Sequence, residues 1–168
     1  PGFEDTIALG HELDGTPVPP YVYPARASGG LFSDLEDLAR FVVAGTAAGD
    51  KVGTEVPASQ VLASESIEAL YQERVDIPGL FSFVADSYGY GHFVETLPDG
   101  KRAVWHGGQG HGWMTHFHSV PETGDGIVIL TNSQRSWPLM AQILSAWSKW
   151  AGIGPVKFAG LVAVGTVA

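Results

Sequence analysis

The 168-residue chain contains no cysteine, so disulfide staples, thiolate metal ligands and a thiol nucleophile are excluded, and redox chemistry leaves no mark of compartment. Basic charge is scarce as well. Nine Lys and Arg stand against eighteen Asp and Glu, for a formal net charge of -9. With no Lys/Arg cluster the chain offers no counter-charge to a phosphate backbone, and nucleic acid is not expected as a partner. Methionine occurs only at Met114 and Met140, and neither an initiator Met nor a charged-then-apolar leader opens the chain at Pro1. That end therefore reads as a cut. No apolar run reaches the ~20 residues that a membrane-spanning helix needs.

What is present is enough for one globular core. Hydrophobic residues make up 45% of the chain and charged residues 16%, which predicts one domain or part of one. Composition divides the chain into residues 1–154 and an apolar tail, 155–168. From Phe158 to Ala168 the tail carries no charge. It reads either as the start of a membrane segment or as a terminal core segment of small residues, so membrane contact through the tail stays open.

Residues 1–30 are rich in Gly and Pro without a sustained period, which predicts an extended, turn-rich segment pinned by Tyr21 and Tyr23. Ser33-Asp34-Leu35-Glu36 is a capping-box pattern, followed by Leu35, Leu38, Phe41 and Val42 at helical spacing, and predicts a helix over about 34–48. Ser64, as a cap for Ile67, Leu70 and Tyr71, predicts a second helix to about Glu73. From Tyr88 the pattern turns to strands: YGYGHFVETL and KRAVWH about a turn at Pro98-Asp99-Gly100, then GWMTHFHSV, then GIVILT. Pro138 opens a last helix carrying Leu139, Ile143, Leu144, Trp147 and Trp150 up to Gly152. The expected order is two helices, four antiparallel strands and a helix, an α+β arrangement. Such a sheet needs cover on both faces, and the last helix supplies only one.

No Ser lies in G-x-S-x-G or three residues before any of the four lysines, and H-E-x-x-H and Walker-type loops are absent. The run Trp105-His106-Gly107-Gly108-Gln109-Gly110-His111-Gly112 stands out at a strand boundary. Glycines there would let a ligand approach the backbone and accept main-chain N–H bonds, with His106 donating to an oxyanion or carboxylate. The same run also describes a plain Gly-rich hairpin loop. Trp105 and Trp113 flank it and line a groove or the core. His116 and His118 share one strand face at a spacing a metal accepts, but without Cys or a fixed carboxylate partner solvent-facing histidines are expected, and no metal site. Arg26 is either a carboxylate clamp or a solvated loop residue.

The stretch beginning Trp105-His106-Gly107-Gly108 and continuing to P-E-T-G-D-G-I-V-I-L-T-N resembles the third active-site motif of serine β-lactamases, penicillin-binding D,D-peptidases and related esterases, in its H-x-G form. Upstream, ARASGGLFSDLEDLARFV resembles the Gly-Gly turn and following helix of the same family. The resemblance covers roughly residues 7–150. It implies a partial β-lactamase/penicillin-binding-like domain, an antiparallel sheet with a C-terminal helix packed on it, in a periplasmic, extracellular or membrane-associated setting. By carry-over His106 helps bind or polarise substrate, Gly107 and Gly108 keep the edge open beside Trp105, and the Gln109 N–H is one oxyanion donor. S-x-x-K and Y-x-N have no counterpart, so the chain alone is expected to be inactive. Its expected partners are a small-molecule or peptide substrate and the missing N-terminal part of the domain, with no cofactor. The alternative is a non-catalytic module that binds a peptide or ligand along the Gly-rich edge.

Overall fold

The computed structural model describes residues 6–19, 21–46 and 62–160, and its elements follow local chemistry closely. After a single helical turn, α1 (Arg26–Gly29), comes α2 (Leu35–Ala44). Asp34 is extended and its carboxylate accepts the Asp37 N–H at 2.8 Å, so the cap is one residue later than Ser33. Gly45 ends α2 short of the expected residue 48, and residues 47 and 48 lie outside the described ones. The helix α3 (Ser64–Leu70) begins after Ala63, which occupies the capping position expected of Ser64, and stops at Leu70.

Among the described residues six strands form one antiparallel meander in sequence order, two more than expected: β1 (Val75–Asp76), β2 (Ser87–Tyr88), β3 (Phe93–Thr96), β4 (Arg102–Gly110), β5 (Trp113–Val120) and β6 (Asp125–Thr131). The additional pair, β1 and β2, is only two residues long on each side. YGYGHFVETL does not run as one strand because it doubles back between Gly89 and His92, where the Gly89 N–H donates to the His92 carbonyl and Gly91 takes a positive φ of 75°. The helix α4 (Trp137–Ala151) holds Pro138 in its first turn and ends on Gly152 in the left-handed conformation.

The sheet separates two packed layers. On one face Trp105, Met114, Val120 and Ile129 meet Met140, Leu144 and Trp147 of α4, together with Ile153, Val156 and Phe158 beyond it. Each such side chain contributes about 1.5–3 kcal/mol when fully buried. The start of the compositional tail is thus part of the core, and residues 157–160 are helical. On the other face Val94 and Val104 pack with Tyr71, Ile67 and Leu70, while Phe41 of α2 meets Phe117 edge-on at 6.3 Å. The second face, expected to need outside cover, is covered in part by α2 and α3 of this chain. Apolar side chains remain bare elsewhere, notably Leu31, Phe32, Leu80, Phe81 and Phe83. No described helix is long and apolar enough to cross a membrane.

Candidate functional site

β4 outruns its first neighbour. β3 pairs with it from Arg102 to Trp105, whereas β5 pairs from Val104 to Gly110. Among the described residues, His106 to Gly110 therefore has β5 on one side and no strand on the other. Antiparallel residues alternate in the side toward which their N–H and C=O point. The Leu97 N–H donates to the Lys101 carbonyl at 2.8 Å, which sets the phase: Lys101, Ala103 and Trp105 turn their backbone groups toward β3. Continued along the strand, the alternation turns those of Gly107 and Gln109 out of the open edge. Only His111 and Gly112 connect Gly110 to Trp113, a loop length whose closing pair is hydrogen-bonded, in agreement with that phase.

The two edge glycines differ in what they require. A Cβ on Gly108 would fall 2.5 Å from Thr115 Oγ1 on the paired strand, so its bareness is demanded from within the sheet. A Cβ on Gly107 would meet the Thr115 carbonyl at 3.5 Å and His116 Nδ1 at 3.6 Å, both ordinary contacts. Gly108 and Gln109 are exposed, and His106 and Gly107 half-buried.

His106 stands where β3 stops. Its Nε2 lies 3.2 Å from the Tyr88 hydroxyl, and its ring neighbours Phe93 at 5.5 Å. His92, close by, is held below the ordinary imidazole range, chiefly by burial, and is neutral at neutral pH. Sequence reading overlooked Tyr88. Its contact crosses eighteen residues and a tight turn, and no spacing rule encodes it.

The hairpin tip is anchored by the N-terminal segment. The His11 N–H donates to the Gly112 carbonyl at 3.1 Å, the Trp113 indole N–H to Ala8 and the Asn132 side chain to Leu9. Tyr21 packs on Trp113 and accepts the His111 N–H at 3.0 Å. Tyr21 thus pins its segment as expected, and it does so at the end of the candidate edge.

Other residues go elsewhere. Trp105 is 4% exposed, stacked on Phe93 at 4.3 Å and met edge-on by Phe158 at 5.2 Å, so its ring lies in the core and not along a groove. His116 and His118 do share a face, but they are buried, contrary to the expectation of solvent-facing histidines. Their carboxylate neighbour is Glu95, whose Oε1 lies 3.1 Å from His118 Nε2. Burial first, then the neighbouring histidines, push His116 down to about 2. Among the described residues no three His, Asp or Glu side chains are grouped to hold a metal ion. Exposed His111 pairs with Glu12, and exposed Arg26 makes no ion pair among the described residues.

The model of the family described as Beta-lactamase matches residues 4–144. No curated protein matches the chain. Among solved structures, the octameric penicillin-binding protein homologue from Pyrococcus abyssi resembles it in fold with a TM-score of 0.70, at 22% sequence identity, over 95% of this chain and 34% of that one. The chain thus spans about a third of that protein.

Proposed function

The chain belongs to the beta-lactamase family, and from that premise we propose that it forms one wall of a serine hydrolase active site whose nucleophile lies in a missing N-terminal part of the same domain. The reaction is acyl-enzyme hydrolysis of an amide or ester. A Ser hydroxyl, its proton taken by neighbouring groups, bonds to the carbonyl carbon; the amine or alcohol leaves, and water releases the acid. In this reading His106 binds or polarises the substrate, Gly107 and Gly108 keep the edge accessible, and the Gln109 N–H donates to the carbonyl oxygen as charge develops. Such a donor is worth about 3–4 kcal/mol in the transition state. Trp105 contributes from beneath, as support for the strand.

The observation that carries this reading is the edge from His106 to Gly110 opposite β5, which has no strand beside it among the described residues, with the Gly107 and Gln109 backbone turned outward. The bare apolar side chains Leu31, Phe32, Leu80, Phe81 and Phe83 favour a further packed element. The S-x-x-K and Y-x-N patterns, absent from the sequence, would come with it. Assays of this chain and of a longer protein containing it, with a chromogenic ester and a β-lactam, test the proposal. The longer protein should turn over at least one of them and this chain neither. Turnover by this chain alone, or an inert longer protein with an intact S-x-x-K serine, would sink it.

The same free edge also suits a non-catalytic module in which an extended peptide adds as a strand. A longer protein without S-x-x-K that retains peptide binding would favour that alternative.

A further inference from the structure

The nitrogen that His106 offers to a ligand is determined by its other nitrogen. Neutral imidazole has one donor and one acceptor nitrogen, and a phenol that gives its O–H to one nitrogen leaves the ring proton on the other. Tyr88 occupies Nε2 at 3.2 Å, and among the described residues Nδ1 has no hydrogen-bond partner. The Tyr88 ring is itself held. It meets Phe93 edge-on at 4.8 Å, Phe93 stacks on Trp105 at 4.3 Å, and Trp105 is anchored in the core against Phe158. Its backbone is fixed on both sides, by pairing with Val75 and Phe93 and through the Arg74 N–H, which donates to the Tyr88 carbonyl at 3.1 Å.

Two consequences follow from this packing. The hydroxyl is delivered by a ring with little freedom, so the contact with His106 loses little side-chain entropy on forming. The short pair β1 and β2, otherwise a minor addition to the sheet, also acquires a purpose, since it brings Tyr88 to the end of β3 where His106 emerges. We propose that Tyr88 is a positioning residue for His106, fixing its tautomer and ring orientation so that Nδ1 is left for substrate. The catalytic side of this inference rests on the reading of His106 as a substrate-binding group.

Tyr88→Phe tests it, because the variant keeps the ring contacts and deletes only the hydroxyl; Tyr90→Phe, a tyrosine without contact to His106, is the control. In this chain, nitrogen-15 spectra of His106 should show one dominant neutral tautomer, redistributed in Tyr88→Phe and unchanged in Tyr90→Phe. In the longer protein, Tyr88→Phe should lower kcat/KM about tenfold, the usual scale for losing an orienting hydrogen bond. A His106 tautomer distribution identical in wild type and Tyr88→Phe overturns the positioning role, whatever the longer protein does. An unchanged kcat/KM in an active longer protein overturns its catalytic bearing. An inert longer protein sinks the functional reading instead, and leaves the spectra to decide whether Tyr88 positions His106.

Discussion

His118 Nε2 lies 3.1 Å from the Glu95 carboxylate, and the two side chains are 0% and 1% exposed. The atoms are close without being aligned as a hydrogen bond. Glu95 has a second duty: its other oxygen accepts the Lys157 N–H at 2.8 Å, tying the segment after α4 to β3. His118 in turn approaches His116, with Nδ1 and Nε2 3.4 Å apart. A carboxylate and two imidazoles thus run through the core beneath the candidate edge.

Removing the carboxylate leaves His118 and the Lys157 N–H without their buried partner. Glu95→Ala should destabilise this chain by about 3 kcal/mol, in line with the loss of one member of a buried pair. Glu95→Gln, which keeps an acceptor for Lys157, should lose less. Urea unfolding measures both, and a loss in Glu95→Ala below about 1 kcal/mol would show the pair to be energetically idle.

His116 makes stability depend on pH. The unfolded chain takes up a proton there as pH falls through the ordinary 6.5, while the folded chain refuses it down to about 2. Protonation therefore favours the unfolded state across that window. The contribution is intact above about 6.5 and is lost progressively below it, with a slope approaching ~1.4 kcal/mol per pH unit from this one group. His116→Gln should flatten the fall in unfolding free energy between about pH 7 and pH 5. An equal slope in the variant would assign the acid sensitivity to other groups.

Gly112→Ala and Gly107→Ala should part company. Gly112 has a φ of 93°, and a Cβ there would sit 2.8 Å from Val18 and 3.0 Å from the Gly10 backbone. Strain and overlap together should destabilise the chain by about 2–4 kcal/mol and loosen the N-terminal segment from the hairpin tip. Gly107→Ala meets only ordinary contacts and should stay within about 0.5 kcal/mol of wild type. Thermal unfolding compares the two, and protease sensitivity near His11 reports the loosening.

Trp105→Ala should behave as a core deletion. Its ring stacks between Phe93 and His116, so truncation should cost about 3–5 kcal/mol through lost burial and a cavity. Chemical denaturation reads the loss. A stable Trp105→Ala variant impaired only in ligand binding would return Trp105 to the groove.

Sequence patterns located most of the framework because their signals are local. The start of α2 within a residue of Ser33, the turn at Pro98-Asp99-Gly100, the alternating strand around Phe117 and the stop at Gly152 each depend on neighbours a few residues away. The two-residue strands were illegible for the opposite reason, since β1 and β2 are too short to carry a period and exist through pairing alone. The histidines were assigned to the right face and the wrong environment. Alternation predicts that His116 and His118 share a side, but nothing within reach of a spacing rule indicates that Glu95 and the last helix close over them.

By itself, then, the sequence determined the family phrase from Trp105 to Gln109, the glycine-lined strand boundary and the absence of a nucleophile motif, because these are properties of residue type and order. Only the tertiary structure decided that β3 begins at Phe93 and so leaves one side of His106 to Gly110 without a strand among the described residues, that Trp105 turns into the core, and that Tyr88 reaches His106. Those facts depend on where one strand stops relative to another and which face meets a helix. Such relations join residues far apart in the chain, and local pattern cannot carry them.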